Sequence, residues 1–253
     1  MAKSTEKILT DPQAGKVLLV KSDRSRSISI RVHPVKGVRV SVPRIVPFAA
    51  AVAFYKMKRN WVLEVMARQR ELAQAGYMVY ALDSRGQGAN ERLDEYHYKD
   101  MATDVYEFIR LKGLEKPAVF GFSDGGIIAL QLEVMYPGTL GAIVTGGANI
   151  FVWGALVPEF EQGFLAQPSD EPLVKMMQNE PAMTVEDMAG IKVPALIMSG
   201  ENDLILADHT RLIGSNIPDG RVKIIEGEDH GSYICNSPKL APLMLDFFRE
   251  IGY

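Results

Sequence analysis

The sequence has 253 residues, of which 47% are hydrophobic and 23% charged, and a formal net charge of −3. This length allows one large α/β domain or two small ones, and the composition is ordinary for a globular enzyme. No apolar run approaches the roughly 20 residues that cross a bilayer, so no membrane partner is expected. The first eleven residues are polar and lack the apolar core of a signal peptide. A single cysteine, Cys235, excludes an internal disulfide, and we expect a cytoplasmic location.

Charge is unevenly distributed along the chain. Residues 1–76 hold 15 Lys or Arg and 5 Asp or Glu, a net charge of +10, whereas residues 77–253 hold 13 and 26, a net charge of −13. A basic segment can bind an acidic partner, dock onto an acidic part of its own chain, or form a solvated face. Because no nucleic-acid-binding motif accompanies the segment, a nucleic-acid partner is not expected.

The basic segment predicts three strands and a long helix after a polar leader. The strands are expected at 16–20, 27–32 and 37–42, and the last two alternate apolar and polar residues as half-exposed antiparallel strands do. Pro and Gly in residues 33–37 predict the turn between them. The helix is expected over 48–75, with an apolar stripe that includes Val52, Tyr55, Trp61, Val62, Val65, Met66 and Leu72.

Beyond residue 76, continuous apolar strands alternate with helices. The strands are predicted at 77–82, 118–121, 140–145, 195–199 and 221–225, and the helices at 99–111, 208–217 and 237–251. This alternation predicts a mostly parallel sheet with helices on both faces. Residues 151–188 are less regular and rich in aromatic residues, Met and Pro, which favours a short lid. We expect residues 77–253 to form this α/β core and residues 1–76 to complete its sheet.

A G-x-S-x-G motif lies between a predicted strand and a predicted helix, at Gly121-Phe122-Ser123-Asp124-Gly125. This spacing is the signature of a nucleophile elbow, in which a sharp turn exposes the serine Oγ. The turn forces the serine backbone into a strained conformation, and the flanking glycines make room for strand and helix. The backbone N–H of Asp124 is then free to donate to an oxyanion. A plain turn between strand and helix is the alternative.

A nucleophilic serine needs a base and an orienting carboxylate. Of the four histidines, His230 follows the last predicted strand, whereas a turn, a polar loop and a solvated helix face are expected for His33, His97 and His209. Asp203 follows the strand predicted at 195–199, so its side chain is expected at the same sheet edge. Glu201 and Asp208 are rivals for the carboxylate, and an N-cap role also suits Asp208. The order Ser123, Asp203, His230 is that of α/β-hydrolases.

Residues 71–253 resemble α/β-hydrolases of the lipase/esterase-like branch. The resemblance rests on four segments in the right order, at 83–88 (DSRGQG), 121–126 (GFSDGG), 200–203 (GEND) and 229–231 (DHG). It implies that Ser123 is the nucleophile, His230 the base and Asp203 the acid. It also implies that the Asp124 amide is one oxyanion donor.

The front of the chain departs from that family. The usual His-Gly loop after the third strand is replaced by Val42-Pro43-Arg44-Ile45-Val46-Pro47, where Arg44 or Ile45 could supply the second oxyanion amide. Residues 16–70 instead resemble the N-terminal part of minigluzincin-like zinc metallopeptidases, through 24–32 (RSRSISIRV), 38–43 (VRVSVP) and 58–62 (KRNWV). The zinc motif H-E-x-x-H is absent from the sequence, so no metal site is expected. Our hypothesis is a chimera whose foreign front replaces the native first strands.

The sequence therefore predicts a serine hydrolase that cleaves a small ester or similar acyl compound through an acyl-enzyme, without a cofactor. Phe122 and Trp153 are candidates for an apolar acyl pocket, as are Phe151, Phe160 and Phe164, although packing of the lid onto the core explains any one of them equally well. Two alternatives stay open. One is a catalytically impaired protein that binds a small apolar ligand, and the other is a separate basic interaction module at residues 16–70.

Overall fold

A computed structural model describes residues 5–23, 25, 27–33, 36–87, 90–235 and 237–253. The chain divides into two compact units, Met1–Arg92 with Cys235–Leu245 and Leu93–Ile234 with Asp246–Tyr253. The described strands form two four-stranded sheets, one in each unit. Residues 24, 26, 34, 35 and 88, which belong to predicted motifs and to a predicted turn, lie outside the described residues.

The sheet of the first unit has the strand order β1-β2-β4-β3. β1 is antiparallel to β2 and β3 is antiparallel to β4, as the alternating pattern predicts for the latter pair, whereas β2 and β4 are parallel. The three predicted strands are confirmed, within two residues at each end. The strands are β1 Thr5–Asp11, β2 Gly15–Ser22, β3 Ser29–His33 and β4 Gly37–Pro43.

The polar leader, for which no strand is predicted, contains the strand β1. The feature that indicates β1 is the turn that follows this strand. The carboxylate of Asp11 accepts hydrogen bonds from the backbone N–H groups of Gln13 and Ala14, both at 2.9 Å, and Gly15 has a positive φ of 74°. Such an Asp-initiated turn closes a hairpin, so the polar residues before it pair with β2 despite their low hydrophobicity.

The long helix α1, Phe48–Gln74, is confirmed, and its apolar stripe covers the first sheet. Tyr55 and Val62 of this stripe are fully buried, and Trp61, Val65 and Met66 pack against the same cluster. The strands contribute inward-facing aliphatic side chains to this core, among them Val17, Leu19, Val32, Val38, Val40 and Val42.

The predicted strand at 77–82 is wrong, because the backbone there forms no strand. The side chains of Met78, Tyr80 and Leu82 are exposed by 78, 44 and 46%. Hydrophobic composition alone does not form a strand, since the backbone also needs neighbouring strands with which to pair. The described strands β1–β4 likewise pair with one another, which differs from the expectation that they extend the sheet of the α/β core.

The sheet of the second unit is parallel throughout, in the order β5-β6-β7-β8, and is flanked by helices. This α/β architecture was predicted from the continuous apolar strands. The strands are β5 Ala118–Phe122, β6 Ala142–Gly146, β7 Ala195–Asn202 and β8 Gly220–Asp229. The helices are α2 Tyr98–Lys112, α3 Asp124–Met135, α7 Ala207–Asn216 and α8 Leu240–Ile251, whose residues are divided between the two units.

The segment predicted as a lid, 151–188, contains short helices between β6 and β7. They are α4 Pro158–Phe160, a π-helical turn over Glu161–Leu165, α5 Pro172–Asn179 and α6 Val185–Gly190. The segment is tied to the loop that follows β7 by the N–H of Val157, which donates to the carbonyl of Leu204 at 2.8 Å. Within the described residues, no helix has the length and hydrophobicity needed to cross a membrane.

Candidate active site

Three residues that the sequence singled out each come directly after a strand of the parallel sheet. Ser123 follows β5, Asp203 follows β7 and His230 follows β8. Because the carboxyl ends of parallel strands meet at one edge of a sheet, residues from distant parts of the chain converge there.

The elbow at Ser123 has the strained backbone that its motif predicts. Its φ is 53° and its ψ −119°, a region that non-glycine residues rarely adopt, and α3 begins at the next residue. The N–H of Ser123 donates to the carbonyl of Gly146 in β6 at 2.7 Å. This bond attaches the turn to the neighbouring strand end.

Two glycines, Gly121 and Gly126, allow the elbow to form. Of these, only Gly121 belongs to the G-x-S-x-G motif. A Cβ on Gly121 would lie 2.0 Å from the carbonyl oxygen of Gly125, and a Cβ on Gly126 would lie 2.8 Å from Cβ of Ala148. A Cβ on Gly125 would meet nothing within 4 Å. The expectation that Gly125 makes room for the turn is therefore wrong, because Gly126 faces the sheet and Gly125 does not.

The carboxylate of Asp203 is fully buried and held by three partners. The N–H of Ile205 donates to Oδ1 at 3.0 Å, and the N–H of Gly200 donates to Oδ2 at 3.2 Å. The ring of His230 supplies the third contact, with Nδ1 2.6 Å from Oδ1. These contacts leave the carboxylate with one orientation, directed at the imidazole.

The loop that carries His230 is shaped by Asp229. Its carboxylate accepts hydrogen bonds from the N–H groups of Gly231 and Ser232 at 2.9 and 2.8 Å, which lower the pKa of Asp229. The ring of Phe122 lies against the imidazole, with 4.9 Å between ring centroids. A tight turn and an aromatic contact thus orient His230.

Together these elements form a hydrogen-bonded chain of three side chains. Nε2 of His230 lies 3.1 Å from Oγ of Ser123, while Nδ1 lies 2.6 Å from Oδ1 of Asp203. A carboxylate at Nδ1 requires that this nitrogen carry the proton, so Nε2 is free to accept the serine proton. The arrangement has the contacts needed to convert a hydroxyl into a nucleophile.

The rival carboxylates have other partners. Glu201 accepts a hydrogen bond from the N–H of Gly227 at 2.9 Å, and Asp208 forms an exposed ion pair with Arg211 at 2.8 Å. The N-cap role considered for Asp208 is wrong, because α7 begins at Ala207 and its N-cap residue is Leu206. Asp208 lies in the first turn instead, where a negative charge is favourable to the helix dipole.

The prediction of a solvated face for His209 is also wrong. The side chain is 4% exposed, and its Nε2 accepts a hydrogen bond from the N–H of Ile150 at 3.1 Å. Burial lowers the pKa of His209 to about 4. His209 is therefore a neutral core residue that supports the start of the lid segment, where Phe151 also packs edge-on against its ring.

Each of the other two histidines also has a polar partner. The ring of His97 approaches Glu180, with Nδ1 2.5 Å from Oε1, and this carboxylate raises the pKa of His97. Nδ1 of His33 accepts a hydrogen bond from the N–H of Lys36 at 3.1 Å.

Gly146 and Gly147 also belong to the site, although neither is among the predicted site residues. A Cβ on Gly147 would lie 2.7 Å from Cε1 of His230, and a Cβ on Gly146 would lie 2.5 Å from Cδ1 of Ile234. Their available signal was a Gly-Gly pair directly after a predicted strand, at the edge where the other site residues emerge.

The side chain of Asp124 contacts the neighbouring helix α2. The hydroxyl of Tyr98, at the first position of α2, donates to Oδ1 of Asp124 at 2.6 Å. The N–H of Tyr98 donates in turn to Oε2 of Glu180 at 2.9 Å. Neither Tyr98 nor Glu180 carried a sequence motif, so this connection comes from the tertiary structure alone.

The remaining predicted site residues lie in different places. Arg44 and Ile45 belong to the first unit, in the turn after β4, where Arg44 pairs with Asp23 at 2.8 Å and Ile45 is 94% exposed. Trp153 lies in the lid segment and is 54% exposed. The other lid aromatics, Phe151, Phe160 and Phe164, pack against a buried cluster formed by Val152, Ala155, Leu156, Leu165 and Ile205.

Comparisons with known proteins agree with this architecture. A family model described as alpha/beta hydrolase fold matches residues 65–173. The "Putative carbamate hydrolase RutD" of Cronobacter turicensis is 36% identical over 92 residues, which are 35% of this chain and 34% of that protein. The "Putative protein-lysine deacylase ABHD14B" of Rattus norvegicus is 25% identical over 168 residues, or 65% of this chain and 76% of that protein. The match to the carbamate hydrolase thus spans about a third of that relative's length.

Among solved structures, the bromoperoxidase from Bacillus anthracis superposes with a TM-score of 0.61 at 21% identity, covering 76% of this chain and 87% of that one. This similarity concerns the fold. The chain has the α/β-hydrolase fold, with a parallel sheet flanked by helices and an N-terminal sheet that contains antiparallel strands.

Proposed function

We propose that this protein is a serine hydrolase that cleaves an ester or a similar acyl compound through an acyl-enzyme. The single observation that carries the proposal is the hydrogen-bonded chain from Ser123 through His230 to Asp203. The strained backbone of Ser123 supports it, since such strain persists where the surrounding structure holds a functional group in place.

In the proposed mechanism, Nε2 of His230 takes the proton of Ser123 as Oγ attacks the acyl carbonyl carbon. Asp203 stabilises the imidazolium that forms. His230 then gives the proton to the leaving group, and the acyl group stays bound to Oγ. A water molecule, deprotonated by His230, attacks the acyl-enzyme, and the acid product leaves with the serine restored.

The negative charge that develops on the carbonyl oxygen needs hydrogen-bond donors. The N–H of Asp124 is the first proposed donor, because it follows the nucleophile at the start of α3, where the helix dipole also favours an anion. A second donor from Arg44 or Ile45 stays a prediction. Without it, the rate would be lower by roughly 10²–10³.

The proposed substrate is a small acyl compound. The names of the relatives, a carbamate hydrolase and a protein-lysine deacylase, concern carbonyl compounds that the same chemistry can open. Phe122 lies against the imidazole and Trp153 is half-exposed, so both are proposed to contact an apolar acyl group. No cofactor takes part in the proposed steps.

A catalytically impaired protein that binds a small apolar ligand remains the second candidate. The observation that favours it is the sequence of residues 42–47, which has two prolines and no His-Gly. The resemblance of residues 16–70 to minigluzincin-like peptidases stays a prediction, and we propose no peptidase chemistry, since H-E-x-x-H is absent from the sequence.

The test is hydrolysis of p-nitrophenyl acetate, p-nitrophenyl butyrate and a p-nitrophenyl carbamate, together with fluorophosphonate labelling. Turnover and labelling are expected for the wild type and should vanish in Ser123→Ala. Ser215→Ala is the matched control, because the hydroxyl of Ser215 is exposed on α7 and bonds only to the local carbonyl of Leu212 among the contacts described. A folded wild type that neither turns over nor labels would overturn the proposal and favour the ligand-binding candidate.

A further inference from the structure

The side chain of Asp124 presents a problem that the proposed mechanism leaves unsolved. The backbone N–H of Asp124 is the proposed oxyanion donor, yet the side chain of the same residue is a carboxylate. An ionised carboxylate close to a developing oxyanion opposes it by like-charge repulsion, which is strongest where water is excluded. A serine hydrolase with Asp at this position therefore needs a way to hold the carboxylate away from the reacting oxygen.

The structure contains a donor suited to this task. The hydroxyl of Tyr98 lies 2.6 Å from Oδ1 of Asp124, a distance typical of a hydroxyl that donates to a carboxylate. Tyr98 is 1% exposed, so its hydroxyl has little contact with solvent. Burial and the neighbouring Asp124 carboxylate raise the pKa of Tyr98, which keeps the phenol protonated and therefore the donor.

Tyr98 is itself held in place from a third element. Its backbone N–H lies in the first turn of α2, where no carbonyl of the helix can accept it. This N–H donates a hydrogen bond to Oε2 of Glu180, just after α5, at 2.9 Å. The imidazole of His97 approaches the other oxygen of Glu180 at 2.5 Å. Helix α2 thus begins at a fixed place, and the ring of Tyr98 reaches the first turn of α3 from there.

We propose that Tyr98 is a positioning residue for the oxyanion site, whose hydroxyl draws the Asp124 carboxylate toward α2 and so orients the Ser123–Asp124 peptide. The inference rests on the proposed serine-hydrolase function. The bond has two effects on the rate. It limits rotation of the Asp124 side chain, and it disperses the carboxylate charge onto a buried phenol instead of leaving it beside the oxyanion.

The test compares Tyr98→Phe with Tyr136→Phe in p-nitrophenyl butyrate hydrolysis. Tyr136 is a matched control, since its hydroxyl also bonds to α2, 3.0 Å from Oγ1 of Thr103, but at the opposite end of α3. Tyr98→Phe is expected to lower kcat by roughly tenfold or more while KM changes by less than about twofold, because the lost stabilisation exists only in the transition state. Tyr136→Phe should change neither constant by more than about twofold.

A double-mutant cycle separates positioning from a merely structural role. In an Asp124→Asn background the side chain is neutral, so Tyr98→Phe should cost less in kcat than it does in the wild type, because only the orientation of the Ser123–Asp124 peptide is then lost. An equal loss in both backgrounds, or a Tyr98→Phe variant with wild-type kcat, would overturn the inference while leaving the serine-hydrolase proposal intact. A wild type without turnover or labelling would overturn both.

If Tyr98→Phe does not fold, two variants of its partner answer the same question. Asn at position 124 can still accept the hydrogen bond of the tyrosine, whereas Ala cannot. The inference requires Asp124→Asn to keep a higher kcat than Asp124→Ala at similar KM, and equal values of kcat would contradict it.

Discussion

Gly147 lies against the imidazole of His230, so closely that a Cβ at this position would stand 2.7 Å from Cε1 and 2.8 Å from Nδ1. Its φ of 59° is also one that side chains rarely adopt. The absence of a side chain here is what allows the ring to reach both the serine and the carboxylate.

Gly147→Ala is therefore expected to displace the imidazole and lower kcat by roughly a hundredfold or more, since small misplacements of a base have large effects. Gly113→Ala is the control, because Gly113 has nearly the same φ, 61°, but a Cβ there meets nothing within 4 Å. Both variants should lose about 1 kcal/mol of stability from backbone strain. Equal kcat values for the two variants would show that the contact with His230 does not matter.

The two glycines of the G-x-S-x-G motif should respond in opposite ways to alanine. Gly121→Ala would place a Cβ 2.0 Å from backbone at Gly125, so we expect a large loss of stability or no folded protein. Gly125→Ala meets open space in the first turn of α3 and should raise stability by about 0.5–1 kcal/mol, because Gly is a poor helix former. Thermal unfolding followed by circular dichroism measures both changes, and a destabilised Gly125→Ala would contradict this account of the elbow.

In the first unit, the buried carboxylate of Asp11 connects the β1–β2 turn to helix α1. Arg59 donates to it through Nε at 2.6 Å, and this bond holds the pKa of Asp11 well below its usual range. Asp11→Asn is expected to cost about 2–3 kcal/mol, toward the low end for a buried pair because Arg59 is partly exposed. A lowered folded-state pKa means that the stabilisation is present above the ordinary pKa of Asp and is lost as the pH falls.

Asp23→Asn provides the comparison for this ion pair. The pair between Arg44 and Asp23 is about half-exposed on both sides, and its removal should cost no more than about 0.5 kcal/mol. Urea unfolding in a Trp153→Phe background reports on the first unit, because Trp61 is then the only tryptophan in the sequence. Similar losses for the two variants would mean that burial does not strengthen the Asp11 contact.

Protonation of His209 should destabilise the fold in mild acid. Its folded-state pKa of about 4 lies below the ordinary value of 6.5, so the unfolded chain binds a proton more readily. The stabilisation is present above pH 6.5 and is lost between pH 6.5 and 4, by about 3 kcal/mol in total. His209→Gln should flatten this part of the stability curve, measured as the free energy of unfolding against pH.

His97 is the control of opposite sign for this experiment. Because Glu180 raises its pKa, the contribution of His97 is present at low pH and lost as the pH rises through the folded-state value. His97→Gln should therefore reduce stability only in acid. If His209→Gln leaves the slope between pH 6.5 and 4 unchanged, another group is responsible for the acid sensitivity.

Local pattern along the chain was enough to predict several parts of the fold. Continuous apolar strands predicted the parallel sheet, and the strand–G-x-S-x-G–helix order predicted the turn at Ser123. The positions of Asp203 and His230 were predicted in the same way, because a residue that follows a parallel strand emerges at a known edge whatever its distance along the chain.

Other features depend on which residues come into contact in space, and these emerge from the three-dimensional fold. Met78, Tyr80 and Leu82 have the pattern of a strand, yet residues 77–82 form none within the described part of the chain. The polar β1, in contrast, becomes a strand because β2 lies beside it. Burial made His209 a core residue, and the approach of α2 to α3 brought Tyr98 to Asp124 across 26 positions of sequence. Hydrophobic period and motif spacing describe one element at a time. Strand pairing, burial and hydrogen bonding depend on a second element, and period and spacing do not encode the position of that element.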